Sequence, residues 1–158
     1  MKKILEFYTE YNQFYIHDKN YVGDISDFEF WSEKAINCRL ATLNDILGVG
    51  TQSYGNIKGE IELLEKQAIN IDFEHYDHIV ESGLEIRNSE LQITSCPTNN
   101  IEVKIKVRNG QYRVRVYSSN LSSVLETDLI NDTDNDYYRI EVWPDSNKEL
   151  RLLKQYEG

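Results

Sequence analysis

The sequence is poor in proline and glycine, and no segment would separate it into parts. Only two of its 158 residues are prolines, Pro97 and Pro144, and eight are glycines. No stretch is enriched in Pro, Gly or Ser and no internal repeat is present, which excludes a flexible linker and a repeat architecture. We therefore predict a single domain over residues 1–158, with residues 146–158 as a C-terminal extension.

Cysteine is equally scarce, since Cys38 and Cys96 are the only two. A disulfide framework, or a zinc site built from four thiolates, cannot form from this chain. This cysteine usage is typical of a reducing compartment, and we expect the protein to be cytoplasmic.

Long apolar runs are absent as well. The N-terminus carries Lys2 and Lys3, but Glu6 interrupts the apolar residues that follow them. A signal peptide needs an apolar stretch of at least about seven residues, and a membrane helix needs about twenty. The sequence thus predicts neither a signal peptide nor membrane insertion.

Motifs that carry catalysis or bind cofactors are also missing. No serine, cysteine or lysine lies in a recognised nucleophile motif. The segment Gly48-Val49-Gly50 lacks the third glycine and the following helix of a dinucleotide-binding fingerprint. With 27 acidic residues, the sequence selects no particular carboxylate pair for acid–base chemistry. We predict no catalytic residues, no cofactor and a non-enzymatic protein.

Negative charge, by contrast, is abundant. The 27 Asp and Glu outnumber the 17 Lys and Arg, which gives a formal net charge of −10. Such a protein repels nucleic acid and anionic lipid, and its field attracts basic partners at rates that fall with added salt. An acidic balance also serves solubility alone, which is the simpler interpretation. If the charge serves binding, we expect a basic protein partner and no direct nucleic-acid binding.

The clearest local pattern is a stretch of alternating apolar and charged residues around Asn109-Gly110. This dipeptide favours a two-residue type I′ turn, which predicts a β-hairpin over residues 101–117. In that register Val107 faces Tyr112, and the apolar side chains of both strands point toward the core.

The outer side of this predicted hairpin would be basic. It would collect Lys104, Lys106, Arg108, Arg113 and Arg115. We expect flanking strands to neutralise this face with glutamates such as Glu81, Glu85 or Glu141. A free basic stripe that binds an acidic partner is the alternative.

Shorter alternating segments predict further strands. They lie at residues 4–8, 12–17, 46–51, 57–63, 80–86, 91–94 and 138–143. About eight or nine short strands with polar connections predict a mainly β fold, an antiparallel two-sheet sandwich or flattened barrel. One short helix is expected near residues 28–40, after Ser26-Asp27 as its N-terminal cap.

The segment 126–136 is rich in carboxylates. They are Glu126, Asp128, Asp132, Asp134 and Asp136. The last three are spaced like the start of an EF-hand, but Tyr137 replaces the glycine of that motif and Trp143 replaces its final glutamate. We expect no calcium site; a solvent-exposed loop is the first interpretation and a partner-binding loop the second.

His75 and His78, with acidic neighbours, would supply metal ligands only if residues 72–78 formed a helical turn. In a strand, positions i and i+3 point to opposite faces, and the segment leads into a predicted strand. We expect surface or capping histidines and no metal site.

Aromatic residues are concentrated in the first fifth of the chain, and most are expected in the core. Tyr21 instead lies in a polar segment, residues 18–27. It is the candidate for an aromatic anchor at an interface.

Four short motifs are spread over nearly the whole chain. They are Tyr11-Asn12-Gln13-Phe14, Trp31-Ser32-Glu33-Lys34-Ala35-Ile36, Gly110-Gln111-Tyr112 and Asp136-Tyr137-Tyr138-Arg139-Ile140. In order and spacing they resemble the competence protein J family, inhibitors of a bacterial DNA-entry nuclease, and its uncharacterised relatives. The resemblance implies an acidic, non-enzymatic nuclease inhibitor, and the family offers no catalytic residues to transfer.

Charge, aromatic residues and resemblance together predict a protein that neutralises a basic enzyme, a nuclease. It would cover the enzyme's substrate-binding surface with carboxylates placed where phosphates would lie. The predicted interface comprises the five carboxylates of residues 126–136 and Tyr21. An immunity protein against a secreted toxin would share these features. A small-molecule or carbohydrate-binding β-sandwich, or a hydrolase without a recognised motif, are alternatives from other classes.

Overall fold

Eleven β-strands and one short α-helix follow one another along residues 1–158, all of which the structure, a computed structural model, describes. The strands of the first sheet are β1 (Lys2–Thr9), β5 (Gly55–Leu63), β6 (His78–Ile86), β9 (Gly110–Ser119), β10 (Tyr137–Pro144) and β11 (Arg151–Lys154). Those of the second are β2 (Gln13–Asp18), β3 (Leu40–Thr42), β4 (Ile46–Gly50), β7 (Glu90–Ser95) and β8 (Ile101–Lys106). The helix α1 spans Glu33–Cys38, and a 3-10 turn spans Leu121–Ser123.

The two sheets are open, and both are mainly antiparallel. Their strand orders are β1-β5-β10-β9-β6-β11 and β3-β4-β2-β7-β8. Only β5 and β10 run parallel. The predicted mainly β, sandwich-like fold is confirmed.

A core of 23 buried residues lies between the sheets. Successive side chains of a strand point to opposite faces, so each strand contributes alternate residues to this core. Phe14 and Ile16 of β2, and Val114 and Val116 of β9, enter the core in this way, and all four are buried. Full burial of one such side chain contributes about 1.5–3 kcal/mol at most.

The segment around Asn109-Gly110 is a corner between the sheets, so the predicted hairpin register is wrong. Strand β8 pairs with β7 in the five-stranded sheet, whereas β9 pairs with β6 in the six-stranded sheet. Val107 therefore does not face Tyr112 across a ladder. The alternation did identify the buried side of each strand correctly, because Val103, Ile105, Val114 and Val116 all belong to the core.

The four strands β6 to β9 form one long antiparallel ribbon that bends from one sheet into the other. Ile86 faces Gly110 before the bend, and Glu90 faces Lys106 after it. At the bend, the Ser89 amide donates a hydrogen bond to the Asn109 side-chain oxygen at 2.7 Å. The bent ribbon thus belongs to both sheets at once.

Helix α1 is shorter than predicted. It begins after Ser32, whose Oγ accepts a hydrogen bond from the Ala35 amide at 3.1 Å, and not after Ser26-Asp27. Phe30 and Trp31 lie in a loop before it that covers the outer face of the five-stranded sheet, where a Cβ at Gly48 would come within 2.8 Å of the Trp31 ring. Packing on the sheet therefore replaces helix at residues 30 and 31, whereas Phe28 is exposed. No helix is long and apolar enough to span a bilayer.

Strands β3 and β11, which are three and four residues long, are not among the predicted strands. Strand β11 lies in the predicted C-terminal extension and pairs with β6 at the edge of its sheet. Leu150 and Tyr156 on either side of it pack against the core. Residues 146–158 are thus integrated into the sandwich.

Candidate partner-binding surface

The carboxylate-rich segment forms a loop at the end of the sandwich where β1 turns into β2. The side chain of Asn12 in that turn donates a hydrogen bond to the Thr127 carbonyl at 2.7 Å, which ties the turn to the loop. Glu126, Asp128 and Asp132 are exposed on this loop. The same loop also has three exposed apolar side chains: Leu125, Leu129 and Ile130.

Asp136 lies inside the protein, at the base of the loop. One of its carboxylate oxygens accepts hydrogen bonds from the Ser53 amide at 3.0 Å and the Ser53 hydroxyl at 2.7 Å. It also accepts one from the Tyr138 hydroxyl at 2.5 Å. Burial, and then the negative charge of Asp136, raise the pKa of Tyr138 well above its usual value, so this hydroxyl remains a donor. Asp136 therefore holds the loop and does not face solvent.

Asp134 also shapes the loop. It is half-buried, and one carboxylate oxygen accepts a hydrogen bond from the Asn131 amide at 3.1 Å. Of the five predicted carboxylates, three are thus exposed and two are turned inward to local hydrogen bonds.

Sequence reasoning missed the tyrosines beside the loop. Tyr8 and Tyr11 are 48% and 62% exposed, although they were expected among the core aromatics. The alternation along β1 contained the signal, since Tyr8 is out of phase with the buried Leu5 and Phe7. Tyr11 lies in the turn at a positive φ of 58°.

Glu10 lies close to these tyrosines. Its carboxylate accepts a hydrogen bond from the Tyr54 hydroxyl at 2.9 Å, and this bond raises the pKa of Tyr54 to about 12. We call the surface made of Tyr8, Glu10, Tyr11, Glu126, Asp128 and Asp132 the acidic end.

Tyr21 does not join the acidic end. It is half-buried, and its ring lies 4.5 Å from the ring of His17 in an edge-to-face contact. His17 is near the end of β2, whereas the Tyr11–Asn12 turn precedes its start. Six strand residues at about 3.3 Å each separate the two regions by roughly 20 Å.

The two candidate metal-binding histidines point in different directions. His78 is buried: its Nδ1 accepts a hydrogen bond from the Tyr156 amide at 3.1 Å, and its Nε2 contacts the Cys38 carbonyl at 2.7 Å. This arrangement requires the Nε2-protonated tautomer. Burial lowers the pKa of His78 to about 4. His75 is exposed and packs on Tyr76. No three His, Cys, Asp or Glu side chains are grouped so as to hold a metal ion.

The predicted basic face is divided between the two sheets. Arg113 and Arg115 are buried, and both donate to the Glu81 carboxylate at 2.7 Å. Glu141 lies 3.9 Å from Arg115. Neutralisation by Glu81 and Glu141 is therefore confirmed for these arginines. Lys104 and Lys106 are exposed on the other sheet, so no continuous basic stripe forms.

The fold is that of a class of two-sheet sandwiches known from solved structures. No protein-family description and no curated protein matches the sequence. The structure is similar to that of ComJ from Bacillus subtilis, an inhibitor of the DNA-degrading activity of NucA. The TM-score is 0.67 at 17% identity, over 90% of this chain and 96% of ComJ.

A second solved structure, the crocagin biosynthetic gene J product, has a TM-score of 0.55 at 12% identity. The match covers 92% of this chain and 99% of that protein. At these identities the likeness establishes the fold. The likeness in fold extends over nearly the whole chain, and it confirms the resemblance to competence protein J at the level of structure.

Proposed function

We propose that this protein is a cytoplasmic inhibitor of a basic nuclease and that it acts by binding, without chemistry of its own. The observation that carries the proposal is the fold shared with ComJ over 90% of the chain. The formal charge of −10 supports it, because a nuclease must attract phosphate and the same field attracts carboxylates.

The acidic end is the surface on which we place the contact with the nuclease. It presents exposed carboxylates next to two exposed tyrosines, and interfaces are enriched in tyrosine because one ring offers both apolar area and a hydroxyl. The carboxylates would meet cations that otherwise hold DNA phosphates. The tyrosines and the apolar loop residues would contribute buried area.

The hydrogen bonds under the loop support this role. The inward bonds of Asp136 and the bond from Asn12 to Thr127 fix the loop before any partner arrives. Preorganisation of this kind lowers the entropy lost on binding.

The test captures the nuclease and then measures its activity. The purified protein, immobilised, is used to capture proteins from a lysate of its native cells, and DNA degradation by each captured protein is measured with and without added inhibitor. We expect a basic nuclease whose DNA degradation stops at equimolar inhibitor. If no captured protein degrades DNA, or if degradation persists with excess inhibitor, the proposal is wrong.

Matched charge variants locate the surface. The variant Glu126→Gln, Asp128→Asn, Asp132→Asn removes three exposed charges at the acidic end. The control variant Glu65→Gln, Glu74→Gln, Glu149→Gln removes three exposed charges elsewhere. We expect only the first to weaken inhibition, by at least about tenfold. Equal loss in both would show that total charge matters and not this surface.

A further inference from the structure

A cavity of about 440 Å³ opens to solvent beside the Tyr11–Asn12 turn, on the side of α1. Its walls combine apolar and aromatic side chains with one cation: Tyr11, Trp31, Ile36 and Arg39. Ligand sites for small molecules have this size and this mixture of apolar walls and few polar groups. No residue of the cavity is used by the carboxylate contacts proposed above, although Tyr11 borders both surfaces.

Arg39 is half-buried in this wall and has no carboxylate within 4.0 Å. Each of the other arginines that are not exposed does contact a carboxylate: Arg113, Arg115 and Arg139. Arg39 makes one side-chain hydrogen bond, from Nη2 to the Gln52 side-chain oxygen at 2.7 Å. In a protein with 27 acidic residues, this residue of the cavity wall thus has a half-buried guanidinium whose remaining donors have no anionic partner.

The backbone holds Arg39 firmly in this position. It ends α1 in the left-handed conformation at a φ of 60°, and its amide donates back to the helix. Its carbonyl accepts a hydrogen bond from the Gly50 amide at 3.0 Å. The Tyr156 ring covers one side of the guanidinium, with its centroid 5.4 Å from Cζ. The cation is thus positioned before any ligand binds.

Trp31, another residue of the cavity wall, is also held in place. Its indole nitrogen donates to the Gln13 side-chain oxygen at 2.9 Å, and the absence of a side chain at Gly48 lets its ring lie against the sheet. An aromatic ring entering the cavity would pack against Trp31 and Ile36 while its polar end reached Arg39.

We propose that this cavity binds a small aromatic carboxylic acid, with the carboxylate on Arg39 and the ring against Trp31. The unpaired cation favours an anion over a neutral sugar. A single arginine in a protein of charge −10 favours a monoanion over a phosphate dianion. This site goes beyond nuclease inhibition and is tested without a nuclease.

The test follows the indole N–H signals of the ¹⁵N-labelled full chain by NMR. Trp31 and Trp143 are the only tryptophans, so two indole signals are present, and Trp31→Phe assigns them. Phenylacetate is the probe and phenylacetamide its uncharged counterpart. We expect phenylacetate to shift the Trp31 signal saturably and leave the buried Trp143 signal in place, with phenylacetamide at least about tenfold weaker.

Arginine variants give the matched control. Arg39→Gln should weaken phenylacetate binding at least about tenfold, and Arg39→Lys should weaken it less because the charge is retained. Arg108→Gln removes an exposed arginine elsewhere and should bind as the parent does. The thermal midpoint of each variant shows whether it is folded.

Three outcomes would overturn the proposal. They are no saturable shift at millimolar phenylacetate, equal binding of acid and amide, and unchanged binding in Arg39→Gln. N-acetylphenylalanine, which mimics a chain terminus, provides a further arm: binding tenfold tighter than phenylacetate would mean that the cavity takes the C-terminus of a protein and not a free acid.

Discussion

Individual acidic residues in this protein have two separate roles, and burial decides which. Asp18 and Asp45 are buried, and their carboxylates accept backbone amides of neighbouring loops, as Asp136 does. For Asp18, burial alone would raise the pKa, but the hydrogen bonds from Asn88 and Arg87 outweigh it and lower the pKa. Only exposed carboxylates are free to meet a partner.

Replacement of Asp136 tests its role in holding the loop. Asp136→Asn removes the charge that strengthens the hydrogen bonds from Ser53 and Tyr138, and it introduces two donors into a site that has only donors. We expect the free energy of unfolding to fall by about 1–3 kcal/mol in urea titrations. Asp132→Asn, on the exposed part of the loop, should change it by less than about 0.5 kcal/mol. Equal effects would contradict the assignment.

His78 makes stability depend on pH. In the unfolded chain its pKa is about 6.5, whereas burial lowers it to about 4 in the folded protein. As pH falls from about 6.5 to about 4, only the unfolded chain takes up the proton, so the free energy of unfolding decreases by up to about 3 kcal/mol. His17, whose pKa burial also lowers, acts in the same direction.

Urea titrations between pH 7 and pH 5 measure this effect. His78→Gln should lose less stability than the parent as pH falls through this interval, because one buried titrating group is gone. His75→Gln, which removes an exposed histidine, should keep the parent's slope. Identical slopes in all three proteins would show that His78 does not take up a proton on unfolding.

At the scale of single elements, the six-stranded sheet carries a row of buried charged side chains. Arg113 and Arg115 share Glu81, and the segments 64–77 and 145–150 cover them, with the Ala68 and Asn147 carbonyls as further acceptors. A buried ion pair contributes little to net stability, but the loss of one partner leaves the other charge uncompensated.

A charge reversal on each sheet separates the two halves of the predicted basic face. Arg115→Glu would place a third carboxylate beside Glu81 and Glu141, and we expect it to cost at least about 3–5 kcal/mol, seen as a lower unfolding midpoint or a failure to fold. Lys104→Glu is exposed and should change stability by less than about 0.5 kcal/mol. Arg115→Met, which removes the charge without reversing it, should be less damaging than Arg115→Glu.

Local pattern was sufficient for nine of the eleven strands, but not for the strands with which they pair. Alternation identified the buried face of β8 and β9, because parity depends on one strand alone. It could not show that Asn109-Gly110 turns a corner, since that depends on β6 and β7 more than ten residues away. Likewise, the alternation along β1 identifies Tyr8 as exposed. In contrast, no residue near Asp136 in the sequence indicates that Ser53 is its hydrogen-bond partner.

At the scale of the whole molecule, negative charge should control how fast the proposed complex forms. Association of the parent with the captured nuclease should slow steeply as salt rises from low to physiological concentration. In the acidic-end triple variant, association should be slower and less dependent on salt, with dissociation changed less. Stopped-flow or surface binding measures both rates. A variant that alters only dissociation would show that these carboxylates act after contact and do not steer it.

The bent ribbon of β6 to β9 also determines where this chain can change in length. Residues 96–100 connect β7 to β8 at the far end of the ribbon, so an insertion there leaves every pairing intact. A single residue added to one strand at the bend would shift the pairing by one position in one sheet and leave the pairing in the other sheet unchanged. The apolar side chains of the shifted strand would then point away from the core. Relatives of this protein should therefore vary in length at residues 96–100. At 87–89 and 107–109 the number of residues should stay constant, because both strands of the ribbon must cross the bend with matching lengths.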